Sequence, residues 1–425
     1  MTVPRKRMTR TAATRMGALG LAIATGLAAA PPTPAHAQEA QSPGTERLMD
    51  QLRDLGLAPE QEGMDAQGLV DDSDRRGGLM DRYRQEREAR EAARRAAEDP
   101  GEPLLAVPPT LMPNVREELR RVVQELSRYA RSRDPGFAVL ARNGTPLAFR
   151  AHREAVLEAA KAAAAGAGVT DPDSPAAGVG EPAAGFLGAV DGIVMDGQFC
   201  GEPPVSDEDL ARLGSLNLVL ISIDHCADLE VVAEARRRAA EAGVMIHADT
   251  DPNGRLDTVP EGHPYGENAE NITDPHQARS VLVLNDARGY GESSRLIGAL
   301  RDTNHDLLIL NPFALGSVAL GREDVAALRY KKLGARRMVL ATFDVGMAHE
   351  TAYYWSPGWS PGEPRWLQAT ARGRPGAQFT AFWDPAWKAL LSTFFVAVMD
   401  LGYDGIVFEG LDSLHRWEAI MPLEQ

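Results

Sequence analysis

The sequence predicts an α/β chain closing into a (β/α)8 TIM-type barrel, preceded by a signal peptide and a charged, weakly ordered linker. Three observations carry that expectation. Eight short β-rich runs, at 137–141, 192–195, 218–223, 244–248, 281–284, 307–310, 338–343 and 405–408, are apolar on both faces, as parallel strands are when helices cover them. Stretches with helical spacing of apolar residues, such as 115–133, 228–243 and 322–334, lie between them. No Gly-rich phosphate loop follows any run, which disfavours an open doubly wound sheet.

The N-terminal elements come first. Arg5, Lys6, Arg7, Arg10 and Arg15 precede an apolar run at 16–30, and Ala35-His36-Ala37 supplies small residues at cleavage positions. This is the pattern of a secretory signal peptide cleaved after Ala37. The run is short for a spanning helix, and no cysteine lies near for a lipid anchor. A secreted or periplasmic protein without membrane insertion is expected. Residues 38–113 are polar and include "DRYRQEREAREAARRAAEDPGEP", charged all round. Such a stretch has no apolar stripe with which to pack, so it reads as a linker or stalk. The barrel is expected to occupy 114–425.

Charge narrows the partners. Residues 1–37 carry five basic and no acidic residues, so their removal takes the formal charge from −15 to −20. That balance argues against nucleic acid and anionic membrane and favours cationic ligands. Cys200 and Cys226 are the only cysteines, too few for a disulfide framework or a thiolate metal site. Each follows a predicted strand, 192–195 or 218–223, and those strands should be barrel neighbours. The two are therefore expected to bridge in an oxidising compartment.

Barrel enzymes act at the C-terminal ends of their strands, and those ends are polar here. They read Arg142-Asn143-Gly144, Asp196, Asp224-His225, His247-Ala248-Asp249, Asn285-Asp286, Asn311, Asp344, and Glu409 with Asp412. Any one of them could cap the next helix, but together they would line one mouth. Two of the strands repeat a phrase, "VDGIVMDG" at 190–197 and "YDGIVFEG" at 403–410. As the second and eighth strands they would be separated only by the first, bringing Asp196 and Glu409 to one rim. All six tryptophans fall between 355 and 417, most of them in a long loop at 346–383. Long βα loops tend to be functional, and flat aromatic faces suit sugar rings. Some of these rings are expected to form the loop's own core, and two or three to face the cleft.

The stretch 280–417 resembles the endo-α-1,4-polygalactosaminidase type of glycoside hydrolase, family 114. The resemblance rests on Gly346, Tyr354-Trp355, Trp383-Asp384-Pro385-Ala386-Trp387, and Gly402-Tyr403-Asp404-Gly405 followed by Glu409 and Asp412. "ARNGTPL", "VDGIVMDG", "LVLISIDH" and "VMIHADTD" resemble the family's remaining strands but come first, a circularly permuted order. The resemblance implies hydrolysis of an α-linked amino-sugar polysaccharide by two carboxyl groups, without a cofactor. It implies Asp196 as acid and Glu409 as nucleophile or base. Asn143, Asp224, His225, Asp344, Tyr354, Trp355, Trp383, Asp384 and Asp412 would contact substrate. The chain departs from the family's pattern at Met347, Asn311 and Arg142, where an acid, Asp and Gln are usual.

Those departures leave an alternative, a non-catalytic exported glycan-binding protein on the same barrel. A third reading, a metal-dependent hydrolase using Asp224, His225, His247 and Asp249, lacks the close ligand spacing of zinc sites. "DTDPNGRLD" at 249–257 approaches a calcium loop, but Pro260 stands where the bidentate acid belongs. It is expected to be an Asx/Gly turn, and no metal site is expected.

Overall fold

The computed structural model describes residues 105–423, apart from 252 and 317. The proposed signal peptide and most of the proposed linker lie outside the described residues. Eight parallel strands form the barrel: β1 (Ala138–Arg142), β2 (Gly192–Asp196), β3 (Val219–His225), β4 (Met245–Asp249), β5 (Val281–Leu284), β6 (Leu307–Leu310), β7 (Met338–Asp344) and β11 (Gly405–Glu409). Their hydrogen-bonded order is β4-β3-β2-β1-β11-β7-β6-β5. The cylinder is nearly closed, with β4 and β5 side by side but without ladder hydrogen bonds.

Each run predicted as a strand becomes one, because both faces are buried. Along β1, Ala138 and Leu140 point into the barrel interior with Val194, Ile221, Val283, Ile309, Leu340 and Val407. Val139 and Ala141 point outward into the layer beneath the helices, as the two-residue period of a strand requires. The outer helices include α1 (Val115–Arg133), α2 (His152–Ala164), α3 (Asp207–Gly214), α4 (Leu229–Glu241), α5 (Ser293–Arg301), α6 (Arg322–Leu328), α7 (Pro385–Asp400) and α8 (Ser413–Ile420). Asn114, Ser206, Asp228 and Asp384 cap α1, α3, α4 and α7 through side-chain oxygens, satisfying amides that a helix start leaves unpaired.

The repeated Asp-Gly phrase has a physical explanation. The leading Asp of each copy accepts from a neighbouring strand's backbone amide: Asp191 from Val139 at 2.7 Å and Asp404 from Val339 at 3.0 Å. The glycine after it lies against the adjacent strand. A Cβ at Gly192 would come 2.3 Å from the Val219 carbonyl oxygen, and one at Gly405 would come 2.5 Å from that of Ala138. The glycine after each terminal acid, Gly197 or Gly410, has φ of +76° or +73°, a left-handed turn that favours glycine.

Two expectations need correction. The helix predicted over 322–334 stops at Leu328, because Lys331 turns inward to pair with Asp306 at 2.5 Å, both side chains fully buried. Residues 105–113, assigned to the linker, pack on the barrel instead. Met112 is buried in the core, Val107 packs against it, and the Leu105 amide donates to the Ile420 carbonyl. The barrel unit therefore starts earlier than 114.

Cys200 and Cys226 form a disulfide with a Cα separation of 5.1 Å, just past the ends of the paired strands β2 and β3. Closing a loop of this length stabilises by about 3 kcal/mol in the chain-entropy picture. Replacing both cysteines by serine should lower the unfolding free energy by about that amount in urea titrations. A free-thiol count on the denatured, unreduced protein should be zero.

Candidate active site

Three neighbouring strands build the centre of the mouth. β2 ends in Asp196, β1 in Arg142 and β11 in Glu409, with β1 between the other two. The Arg142 guanidinium reaches both acids. Its Nε donates to Asp196 Oδ1 and Oδ2 at 3.0 and 3.1 Å, and its Nη1 to Glu409 Oε1 at 2.6 Å. Because one guanidinium touches both, the nearest carboxyl oxygens lie at most about 8 Å apart. Asn143, held in the left-handed region at φ +55° where Asn is better tolerated than most residues, donates from Nδ2 to Asp196 Oδ2 at 3.0 Å.

The environments of the acids differ. Burial raises the Glu409 carboxyl above the ordinary carboxylate range, and Asp344 and Asp196 push the same way against the opposing Arg142. Asp196 is the more open of the two, with about 39% of its side chain exposed against 22% for Glu409. Although burial disfavours its charge, Arg142 is held firmly cationic by Asp196 and Glu409.

Asp344 ends β7 opposite Glu409 in register. It holds the turn that follows, its Oδ1 accepting from the Gly346 and Met347 amides at 3.0 and 2.8 Å, while its Oδ2 lies 3.0 Å from His349 Nε2. The turn fits closely. A Cβ at Gly346 would come 2.1 Å from the Gly410 carbonyl oxygen, and one at Gly410 would come 2.0 Å from Asp344 Oδ1. Asp412 pairs with Arg374 at the rim, and Arg374 also points Nη1 at the Met347 sulfur, 3.6 Å away.

Burial opposes protonation of His349, but the bond to Asp344 prevails and raises its value. A raised folded-state value gives stability that is full below the unfolded imidazole's pKa of about 6.5 and lost as pH rises through the folded one. With 42% of its side chain exposed, solvent screening should keep this below about 1 kcal/mol. The denaturation midpoint should therefore fall slightly as pH rises above about 6.5, and the fall should vanish in His349→Gln.

Several expected substrate contacts lie elsewhere. Asp224 is fully buried and accepts from the Phe199 and Cys200 amides at 2.7 Å and from the Ser222 hydroxyl. It anchors the chain leading to the disulfide and cannot reach a sugar. His225 Nδ1 pairs with Asp249 Oδ1 at 2.7 Å, toward β4 and not toward Arg142. Among the described residues no three His, Cys, Asp or Glu side chains are grouped to hold a metal ion. The calcium-like stretch is the expected turn, Asp249 Oδ1 accepting from the Asp251 amide and Asp251 Oδ1 from that of Asn253.

The aromatic loop has the core of its own that the sequence leads one to expect. It carries a three-stranded antiparallel sheet, β8 (Met347–His349), β9 (Leu367–Thr370) and β10 (Ala377–Thr380), in the order β8-β10-β9. Its tryptophans mainly pack on one another: Trp355 on Trp359 at 5.5 Å between centroids, Trp359 on Trp366 at 4.9 Å, and Trp366 on Trp387 at 4.7 Å. Tyr354 is buried against Trp387, and its hydroxyl accepts from the His349 amide. Trp387 and Trp417 donate from Nε1 to the Val345 and Thr380 carbonyls. Trp383 packs on Trp417 and lines a separate hollow with Asp384, Met112 and Met421; Asp384 caps α7. A 38-residue loop stands up only with a core of its own, and these rings supply it.

In the sequence Arg142 stands out only as a departure from the family's pattern, and nothing singles out His349 or Arg374. The signal for Arg142 was its place at the end of the strand between the two acid-bearing ones.

The sequence profile described as the Herpesvirus US12 family matches residues 78–141, a minor part of the chain that ends within β1. An uncharacterized protein of Deinococcus radiodurans is 28% identical over 128 residues, 30% of this chain and 39% of that protein. An uncharacterized Thermotoga maritima protein is 30% identical over 78 residues, 18% and 24% of the two chains. One from Methanocaldococcus jannaschii is 22% identical over 150 residues, 35% and 42%. Each match spans less than half of the relative's length.

Proposed function

We propose that the protein is a glycoside hydrolase that cleaves an α-linked amino-sugar polysaccharide with the carboxyl pair Asp196 and Glu409. One observation carries the reading: both acids, from strands on either side of β1, meet one guanidinium at the C-terminal mouth. The upper limit of about 8 Å that this sets is compatible with the roughly 5–9.5 Å over which paired carboxyls cleave glycosidic bonds. Glu409, whose value is raised, is the proton donor, and the more open Asp196 is the nucleophile or base. These roles reverse those carried by the family resemblance. They follow the rule that the carboxyl whose pKa is raised by its surroundings is the one suited to donate the proton. Asn143 and Arg142 orient Asp196, and Asp344 and Asp412 with their cationic partners frame the rim.

The test is reducing-end release from a partly N-acetylated α-1,4-linked galactosamine polymer. Internal cleavage that shortens the polymer is expected; intact polymer after prolonged incubation would reject the hydrolase. A specific observation favours a second reading in that event. Arg142 occupies the space between the acids and neutralises both, which suits a glycan-binding protein. Retention of the polymer without cleavage would identify it.

A further inference from the structure

The gap in the barrel wall between β4 and β5 is not empty of chemistry. A cavity of about 310 Å3 opens there, walled by β4 and α4, covered by residues 260–265, and reaching Ser280 and His305 at the N-terminal ends of β5 and β6. Its volume is at the lower end of the range for small-molecule sites. Arg142, Asn143, Asp196, Asp344, Glu409 and Asp412 do not line it.

Three nitrogen-bearing side chains line this cavity, and two of them carry a buried nitrogen without a hydrogen-bond partner. His305 is 6% exposed, makes no hydrogen bond to any described residue, and leaves its Nδ1 buried without a partner. His247, 5% exposed, pairs loosely with Asp249, its Nε2 3.8 Å from Oδ2. Arg236 on α4 has no ion pair among the described residues, and its Nε is buried without a partner. Its guanidinium lies 5.9 Å from the Tyr265 ring centroid. Buried polar groups are ordinarily hydrogen-bonded, and a buried guanidinium N–H left without an acceptor is costly. It is more notable in a chain with 60 acidic and 45 basic residues, where carboxylate partners are plentiful. Of the acids lining the cavity, Asp249 is engaged by His225 and Glu261 lies on the exposed cover.

We propose that this cavity is a binding site for a small oxyanion of the carboxylate or phosphate class, held by Arg236, His247 and His305. A planar guanidinium is suited to carboxylate and phosphate oxygens, and imidazole N–H groups would complete the shell. The volume of about 310 Å3 limits the ligand to a small molecule, not a polymer.

The experiment is calorimetric titration of the whole chain with inorganic phosphate and with acetate. Saturable one-to-one binding of at least one, with a Kd of about 1 mM or tighter, is expected. Arg236→Gln, at a half-buried and therefore tolerant position, should weaken it at least about tenfold, and His305→Phe should do the same. Arg374→Gln, which alters a cation at the barrel mouth, should leave it unchanged. Absence of saturable heat with both anions would overturn the proposal. Binding that survives Arg236→Gln, or disappears in Arg374→Gln, would also overturn it by placing the anion elsewhere.

Discussion

Asp196→Asn and Glu409→Gln are each expected to slow reducing-end release from the amino-sugar polymer by about 10²–10⁴-fold, the range ascribed to a positioned acid or base. Both side chains are partly exposed at the mouth, so circular dichroism and melting should stay close to wild type. The two variants should separate on a substrate with a good leaving group. An aryl glycoside of the amino sugar needs little proton donation, so Glu409→Gln should retain its cleavage far better than Asp196→Asn. The pH profile gives a further check. A donor must be protonated, so activity should fall as pH rises through the value that burial lifts at Glu409, and that alkaline limb should vanish in Glu409→Gln. Equal losses on both substrates would reject the assigned roles.

Lys331→Met is expected to be the most destabilising single change, by about 3–5 kcal/mol, because it leaves Asp306 as a buried charge without its cation. The pair is fully buried. Lys331 Nζ also donates to the Asn268 and Glu270 carbonyls at 3.1 and 2.9 Å, and Asp306 Oδ2 accepts from Asn268 Nδ2 and the Arg279 amide, both at 2.7 Å. This one pair thus pins the connection between β4 and β5 to the base of the barrel. Urea midpoints would measure the loss. The double variant Lys331→Met with Asp306→Leu should lose less than the two single changes together, since no charge is stranded. A single-variant loss under about 1 kcal/mol would mean that water or backbone movement rescues Asp306.

Where the chain pairs its charges was harder to read than where it buries its apolar residues. Lys331 looked like part of an amphipathic helix, since its neighbours have helical spacing, and nothing local marks it for burial. Its partner Asp306 stands before β6 in a stretch whose visible signal is the strand itself. Arg142 and Glu409 are 267 residues apart. The sequence places each at a strand end but does not say that they share a hydrogen bond.

The sequence by itself determined the positions of the eight barrel strands, the delivery of an acid by each Asp-Gly-Ile-Val phrase, and the pairing of Cys200 with Cys226. These follow from local rules. Two-sided burial makes a strand legible as an apolar run, the two-residue period fixes which residue ends it, and adjacent strands bring their following residues together. Only the tertiary structure decided that Arg142 bridges the acids, that Asp224 is spent on backbone amides, and that the tryptophans pack on one another. It alone showed that residues 105–113 join the barrel and that β4 and β5 leave a gap. The physical reason is common to all five. Periodicity reports that a group is buried or exposed, whereas its partner is chosen by three-dimensional proximity, among many groups of the same chemistry.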